Sequence, residues 1–317
     1  MFRWLVAFAF IFQTAAPLFA APRILVDADT ASVLYAEDPI RAWFPASLTK
    51  MMTAHVALRA VASGEITMNE TVTMSPAGAD LPPSKIGLRA GESLLLRDAL
   101  RIMLVRSAND IAYATAEAIA GSEEAFVHRM NDEAARLGMT GTHYVNPHGL
   151  HDDRQVTNAR DVALLALAII HQHARYSDLF RTPFVTWKGH RLANTNALLG
   201  RPGVNGMKTG YTCSSGWNLV VTSSREGRRL IAVVLGASDA GRRNEVAAAM
   251  LDMGGAVRPI ARITDIRAAG PSTAEDKRSA ICGRKESIAQ RTGRTPERAV
   301  GVSSKKIITS DNSVRRF

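Results

Sequence analysis

Short apolar runs bounded by turn residues stand at both ends of the chain's body, and apolar positions at helical spacing lie between them. Arg23-Ile24-Leu25-Val26-Asp27-Ala28 and Ser32-Val33-Leu34-Tyr35-Ala36 read as two strands around a polar turn, Asp29-Thr30. A helix is expected to open at Ser47, behind Pro45, and to run to a glycine stop at Ser63-Gly64. Residues 65–95 are mixed, because Pro76, Pro82 and Pro83 forbid a long helix there. Helical spacing returns over 93–105, 111–120 (stopped at Gly121), 123–137 (stopped at Gly138) and 158–174, the last opened by Asn158. Beyond Trp187 the pattern turns to strands. Residues 203–212 form a glycine-punctuated strand, and 217–223 and 230–237 make two more, joined by the polar turn Ser224-Arg225-Glu226-Gly227. A last helix over 241–253 ends at Gly254-Gly255. Strands from both ends with helices between them predict an α+β fold: one sheet drawing on both termini, with a helical insertion over roughly 65–180.

Two segments fall outside this body of residues 22–255. Residues 1–21 have an early Arg3, a short apolar run from Trp4 to Phe12 and a small-residue exit, the pattern of a secretory signal peptide cut near Ala20 or Ala21. The apolar run is short for a membrane span, so the protein is expected to work outside the cytoplasm, in the periplasm or on the outer face of the membrane. Residues 256–317 are polar and basic and are expected to be a largely disordered, loosely attached tail. That tail explains the charge. The chain has 39 Lys+Arg against 29 Asp+Glu, a formal +10, and residues 256–317 hold 14 and 6 of these, or +8. The body is close to neutral, so the basic balance does not indicate a nucleic-acid partner. No metal-ligand cluster, cofactor motif, heptad or repeat is read from the sequence.

The candidate chemistry begins at Ser47-Leu48-Thr49-Lys50. Ser47 and Lys50 are three apart, so they share a helix face. A partly desolvated lysine can act as the base that takes a serine's proton, and a helix start favours an anionic intermediate. Alone this is weak evidence: serine is a favoured N-cap, and Ser303 and Lys306 repeat the spacing in the tail. Ser107-Ala108-Asn109 follows, where either polar residue could simply cap the next helix. Lys208-Thr209-Gly210 is third. The three are separated by 60 and 101 residues, room for a helical insertion and a return to the sheet. Near copies in the tail, Arg291-Thr292-Gly293 and Ser310-Asp311-Asn312, stand in the wrong order. His148, in the turn Pro147-His148-Gly149-Leu150, has no acid or cysteine partner near it in sequence and reads as a structural histidine.

In that order, S-x-x-K, S-x-N and K-T-G are the signature of the active-site serine penicillin-binding proteins and β-lactamases. With Pro45-Ala46-Ser47-Leu48-Thr49-Lys50-Met51-Met52-Thr53, Ser107-Ala108-Asn109-Asp110, His148-Gly149-Leu150, Ala159-Arg160-Asp161 and Gly206-Met207-Lys208-Thr209-Gly210-Tyr211-Thr212, residues 23–255 resemble the low-molecular-mass D-alanyl-D-alanine carboxypeptidases. The resemblance implies an antiparallel five-stranded sheet flanked by helices, an all-helical subdomain and a site at their junction. It implies Ser47 as nucleophile, Lys50 as base, and Ser107 as proton relay to the leaving D-alanine. Asn109 would hold the substrate amide, Lys208 and Thr209 its terminal carboxylate, and the backbone N–H groups of Ser47 and Tyr211, beside Gly210, the oxyanion. Arg243 resembles the family's carboxylate-binding arginine, with Arg242 as the alternative. The implied partners are a peptidoglycan stem peptide ending in D-Ala-D-Ala and β-lactams as covalent inhibitors.

Other readings share these residues. A D,D-endopeptidase would use the same chemistry. A β-lactamase of the class that deacylates through a glutamate would need one between Tyr144 and Asn158, where only Asp152 and Asp153 stand. A catalytically silent wall scaffold would not require Ser47, Lys50 and Lys208. Many family members continue into a β-rich domain and an amphipathic membrane anchor. The tail here shows neither pattern, so membrane association stays open: its charge suits anionic lipid or acidic wall polymers, or only solvent. Cys213 and Cys282 are an even pair in an exported chain, and form either a disulfide or two thiols, one buried and one exposed.

Overall fold

The computed structural model describes residues 21–225 and 227–283. The signal-peptide reading of residues 1–21 and the last part of the tail reading, from residue 284, fall almost wholly outside the described residues.

Strand β1 (Arg23–Asp27) turns back into β2 (Ser32–Glu37) through a side-chain-closed turn, in which Asp27 Oδ1 accepts from the Asp29 and Thr30 amides at 3.0 and 3.1 Å. After one 3-10 turn, Ala46–Leu48, helix α1 (Thr49–Ala62) is buried continuously from Thr49 to Leu58. A helix buried on all sides is the axis of a core rather than its cover. A small ribbon of β3 (Thr71–Thr73) and β4 (Ser93–Leu95) encloses α2 (Pro76–Asp80). Helices α3 (Leu96–Arg106), α4 (Asn109–Ala120), α5 (Glu123–Arg136), α6 (Ala159–Gln172) and α7 (Ser177–Arg181) follow. The hairpin of β5 (Phe184–Trp187) and β6 (His190–Ala193) leads to three long strands, β7 (Val204–Thr212), β8 (Gly216–Arg225) and β9 (Arg228–Ala237). Helix α8 (Ala240–Met253), strand β10 (Ala261–Arg262) and the short α9 (Arg278–Ile281) complete the described chain.

The main sheet has the order β10-β2-β1-β9-β8-β7, and every neighbouring pair is antiparallel. Both faces are covered, which is why its strands read as continuous apolar runs. The period of two still sorts them. Ile24, Val26, Val220, Ile231 and Val233 face α1 and α6, whereas Leu25, Leu219, Val221, Ala232 and Val234 pack on Ala247, Met250 and Leu251 of α8. Strand β7 is left at the edge, against the 3-10 turn that opens α1.

The α+β expectation holds, with three differences. The sheet has six strands among the described residues rather than five, because the segment after α8 returns as β10 beside β2. That segment is also not loosely attached over residues 256–283. Ile263 and Ala274 are buried, the Lys277 amide donates to Ser214 O at 2.9 Å, and Arg41 pairs with Glu275 at 2.7 Å. Cys213 and Cys282 form a disulfide, with Cα atoms 5.6 Å apart. One alanine and one isoleucine side chain are too little apolar area for a composition argument to register. Finally, the helix expected to open at Ser47 starts at Thr49, since Pro45 and Ala46 hold Ser47 in a tighter turn before it.

The disulfide closes a 69-residue span of chain. Cross-linking a span of that size stabilises by about 4 kcal/mol through the unfolded state. Cys282→Ser is expected to lower the urea unfolding free energy by up to that amount under non-reducing conditions. In reductant, the variant and parent should coincide. Equal non-reducing midpoints would mean the bond contributes nothing.

Candidate active site

The 3-10 turn at Ala46–Leu48 puts Ser47 where three segments converge. From α1, Lys50 folds back so that Nζ lies 3.1 Å from Ser47 Oγ. From the start of α4, Asn109 Oδ1 accepts from Lys50 Nζ at 2.7 Å, and from the 145–150 loop the His148 carbonyl accepts from it too. Lys50 is wholly buried. A neutral amine has two N–H groups and one lone pair. Two carbonyl acceptors take the two N–H groups, which leaves the lone pair directed at the Ser47 hydroxyl. Burial first, and the charge of Lys208 second, hold the Lys50 amine well below the ordinary lysine range, while Asp110 pulls the other way.

The supports of this amine are themselves fixed. Asn109 donates from Nδ2 to Pro82 O at 3.0 Å. The loop carrying His148 is held by Thr53 Oγ1, which donates to Pro147 O at 2.6 Å, and by Gln155 Oε1, which accepts from the Val145 and Asn146 amides. Gly149, at φ 84°, lets that loop press on the nucleophile's turn, since a Cβ there would stand 2.0 Å from Ala46 O. The His148 ring is used locally: Nδ1 accepts from the Leu150 amide at 3.1 Å, and Nε2 lies 3.3 Å from Glu123. Its side chain is structural, as read from the sequence, but its carbonyl belongs to the site.

Ser107 is in the left-handed region at φ 60°, at the junction of α3 and α4. Neither Ser107 nor Asn109 caps α4 with its side chain, whose N-cap is Ala108. Both side chains are therefore free to face the cleft. Ser107 Oγ accepts from Lys208 Nζ at 2.9 Å, across 101 residues of chain. The site thus contains two hydroxyl–amine pairs, Ser47 with Lys50 and Ser107 with Lys208.

Strand β7 forms the opposite wall. A Cβ on Gly210 would stand 3.0 Å from Pro45 O and 3.2 Å from the Ser47 amide, so glycine allows the edge strand to pass this close to the nucleophile's backbone. Lys208 is buried, and burial first, then Arg243, bring its amine down to about 7. Thr209 Oγ1 donates to Thr195 Oγ1 at 2.7 Å. Arg243 is buried, with its guanidinium carbon 5.7 Å from the centre of the Trp217 ring. Arg242 points outward and pairs with Glu245. Geometry therefore favours Arg243 over Arg242. Tyr211, 37% exposed, stacks on Trp217 with ring centres 4.1 Å apart, and its hydroxyl lies 3.4 Å from Cys282 Sγ. The structure brings all nine expected residues to one cleft. Gln155, Asn146 and Thr195 support it without having carried a signal in the sequence; only the glycine and histidine of the 147–150 turn had one.

Residues 12–239 match the model of a family described as D-alanyl-D-alanine carboxypeptidase. The chain is 36% identical over 240 residues to D-alanyl-D-alanine carboxypeptidase DacF of Bacillus subtilis, covering 74% of this chain and 61% of DacF. The chain spans about six tenths of the length of the curated relatives it matches first. Among solved structures, it is similar to penicillin-binding protein 6B from Escherichia coli, with a TM-score of 0.72 and 36% identity over 78% of this chain and 80% of that one. It is also similar to penicillin-binding protein D2 from Listeria monocytogenes in its ampicillin-bound form, with a TM-score of 0.67 and 29% identity over 74% and 97%.

The buried lysines make stability depend on pH with a defined sign. Lys208 has a folded pKa of about 7 against 10.5 for an ordinary lysine. Between these values the unfolded chain holds a proton that the folded one lacks, so this contribution to stability rises with pH. Lys208→Met is expected to be more stable than the parent below pH 7, with the advantage shrinking towards pH 10.5. Urea midpoints across that range test it, and a difference independent of pH would contradict the burial of this amine.

Proposed function

This chain belongs to the D-alanyl-D-alanine carboxypeptidase family, and on that premise we propose that it removes the terminal D-alanine from peptidoglycan stem peptides ending in D-Ala-D-Ala. Penicillins acylate the same serine. The observation that carries the reading is the buried Lys50 amine, with two carbonyls on its N–H groups and the Ser47 hydroxyl on its third side.

The neutral Lys50 takes the Ser47 proton as Oγ bonds to the penultimate residue's carbonyl carbon. The oxyanion that forms is met by the Ser47 and Tyr211 backbone N–H groups. Collapse breaks the peptide C–N bond, and Ser107, paired with Lys208, relays a proton to the leaving D-alanine nitrogen. Water then hydrolyses the ester on Ser47 and returns the proton. Asn109 holds the substrate amide, while Lys208, Thr209 and Arg243 supply the charge and hydroxyl for a free C-terminal carboxylate. Gln155, an amide, is the residue of the 145–158 loop that reaches Thr49 of α1. The reaction runs outside the cytoplasm, a placement supported by the export-signal pattern of residues 1–21 and by the Cys213–Cys282 disulfide.

Ser47→Ala is expected to abolish D-alanine release from a D-Ala-D-Ala pentapeptide and covalent labelling by a fluorescent penicillin. Lys50→Ala should fold but acylate ~10²–10⁴-fold more slowly. A Ser47→Ala protein that still acquires one penicillin adduct would place the nucleophile elsewhere.

The two lysines give opposite pH limbs. Acylation needs Lys50 neutral, so its rate climbs as pH rises through that group's lowered pKa. Attraction of the carboxylate needs Lys208 charged, so kcat/KM for the peptide declines above about pH 7. In Lys208→Arg, which keeps its charge, the alkaline decline should disappear. A decline that persists there would assign the limb to another group.

A further inference from the structure

Alternate residues of β7 point to one face of the sheet, the face covered by α8. Thr209 stands across from Leu219 and Tyr211 across from Trp217 in β8, and both of these β8 residues pack with α8. Cys213 is next in step, just past the end of the strand. The Tyr211 hydroxyl lies 3.8 Å from Cys213 Sγ and 3.4 Å from Cys282 Sγ, so the disulfide continues the row that Thr209 and Tyr211 begin. Tyr211 is exposed and both cysteines are half-buried, so ring and sulfurs present surface outward. Sulfur beside an aromatic ring makes an apolar, polarizable surface.

Cys282 reaches this place because the segment that carries it is already fixed. Glu275 pairs with Arg41 at 2.7 Å, the Lys277 amide donates to Ser214 O at 2.9 Å, and Arg278 Nη2 lies 2.5 Å from His151 Nε2. Arg278 also pairs with Asp276 at 3.0 Å, which balances its charge beside the sulfurs. The short α9 and the disulfide thus stand at the C-terminal end of the sheet's edge strand.

The direction of a bound peptide along that edge follows from the reaction proposed above. Lys208, Thr209 and Arg243 take the terminal carboxylate, and the Tyr211 amide takes the oxyanion formed at the penultimate carbonyl. The last residue then lies beside Thr209 and Gly210, and the penultimate one beside Tyr211. An extended chain laid on an edge strand advances about 3.3 Å per residue. The residue that precedes D-Ala-D-Ala therefore arrives at the disulfide. We propose that the Tyr211 ring and the Cys213–Cys282 disulfide form an apolar shelf for the side chain of that residue, and that the shelf selects peptides with a long aliphatic chain there. This rests on the carboxypeptidase reading and names the side chain that such an enzyme prefers.

The test compares kcat/KM of the full chain for three peptides, Nα-acetyl-Xaa-D-Ala-D-Ala with L-norleucine, glycine or L-glutamate as Xaa. Norleucine is expected to exceed glycine by roughly 10-fold, the worth of partly burying its four carbons. Cys282→Ala should remove most of that preference, and so should dithiothreitol added to the parent until both thiols can be alkylated. Both peptides meet the same enzyme sample, so their ratio is independent of the fraction folded, and a bond that only stabilises the fold would leave it unchanged. Where Cys282→Ala fails to fold, the parent still answers. Irradiated with the peptide that carries photoleucine as Xaa, it should be labelled within residues 211–213 or 278–282. Equal kcat/KM for norleucine and glycine, a faster glutamate peptide, a ratio that survives opening of the disulfide, or saturable labelling elsewhere would each overturn the proposal. D-alanine release from none of the three peptides would instead overturn the carboxypeptidase reading, and the shelf with it.

Discussion

Burying an amine with no carboxylate in contact is the constraint on which this molecule depends. Lys50 loses its hydration entirely, and charged it would be unstable where it stands. Two carbonyls make its neutral form tolerable, and each comes from a different part of the chain: Asn109 from the α3–α4 junction and His148 from the loop after α5. The helix that carries Lys50 has to be sheathed on every side for this to hold. That explains why α1 runs through the middle of the core rather than over its surface. The same condition makes the Ser47 hydroxyl the third neighbour of the amine.

The second constraint is electrostatic. Lys50, Lys208 and Arg243 lie close enough to lower one another in sequence, Lys208 acting on Lys50 and Arg243 on Lys208. A cleft lined by cations and closed on one side by a sheet edge suits an extended peptide ending in a carboxylate. The edge strand can come close because Gly210 has no side chain, and Trp217 beneath it packs both Tyr211 and Arg243. Site and scaffold are therefore the same contacts seen from two sides.

Much of this was legible because it is local. Asn158 accepts from the Asp161 amide and caps α6 as its position foretold, and glycines stop α4 and follow α5 where the apolar spacing ends. The three short patterns were informative through their order and spacing. What stayed hidden depends on tertiary contact. Ser107 reads as a cap in sequence, and only its left-handed backbone turns it to the cleft. Arg242 and Arg243 differ only in which side of α8 faces the sheet. Strand β10 is two residues long, too short for any period to show, so the segment after α8 read as unattached. The Glu133–His55–His173 chain joins three helical segments whose polar residues look solvent-facing one at a time.

The sheet order has a consequence for how the chain reaches this state. Strand β1, the first made, is flanked by β2 and by β9, so that Leu25 pairs with Ala232. The central ladder cannot zip until nearly the whole polypeptide is present, and such long-range pairing is slow to form. A chain threaded out through a membrane pore from its N-terminus would thus emerge without its sheet. The covalent tie from Cys213 to Cys282 can be made only later still, after β8, β9 and α8 have come through. Slow, late closure would keep the polypeptide unfolded during such a transit.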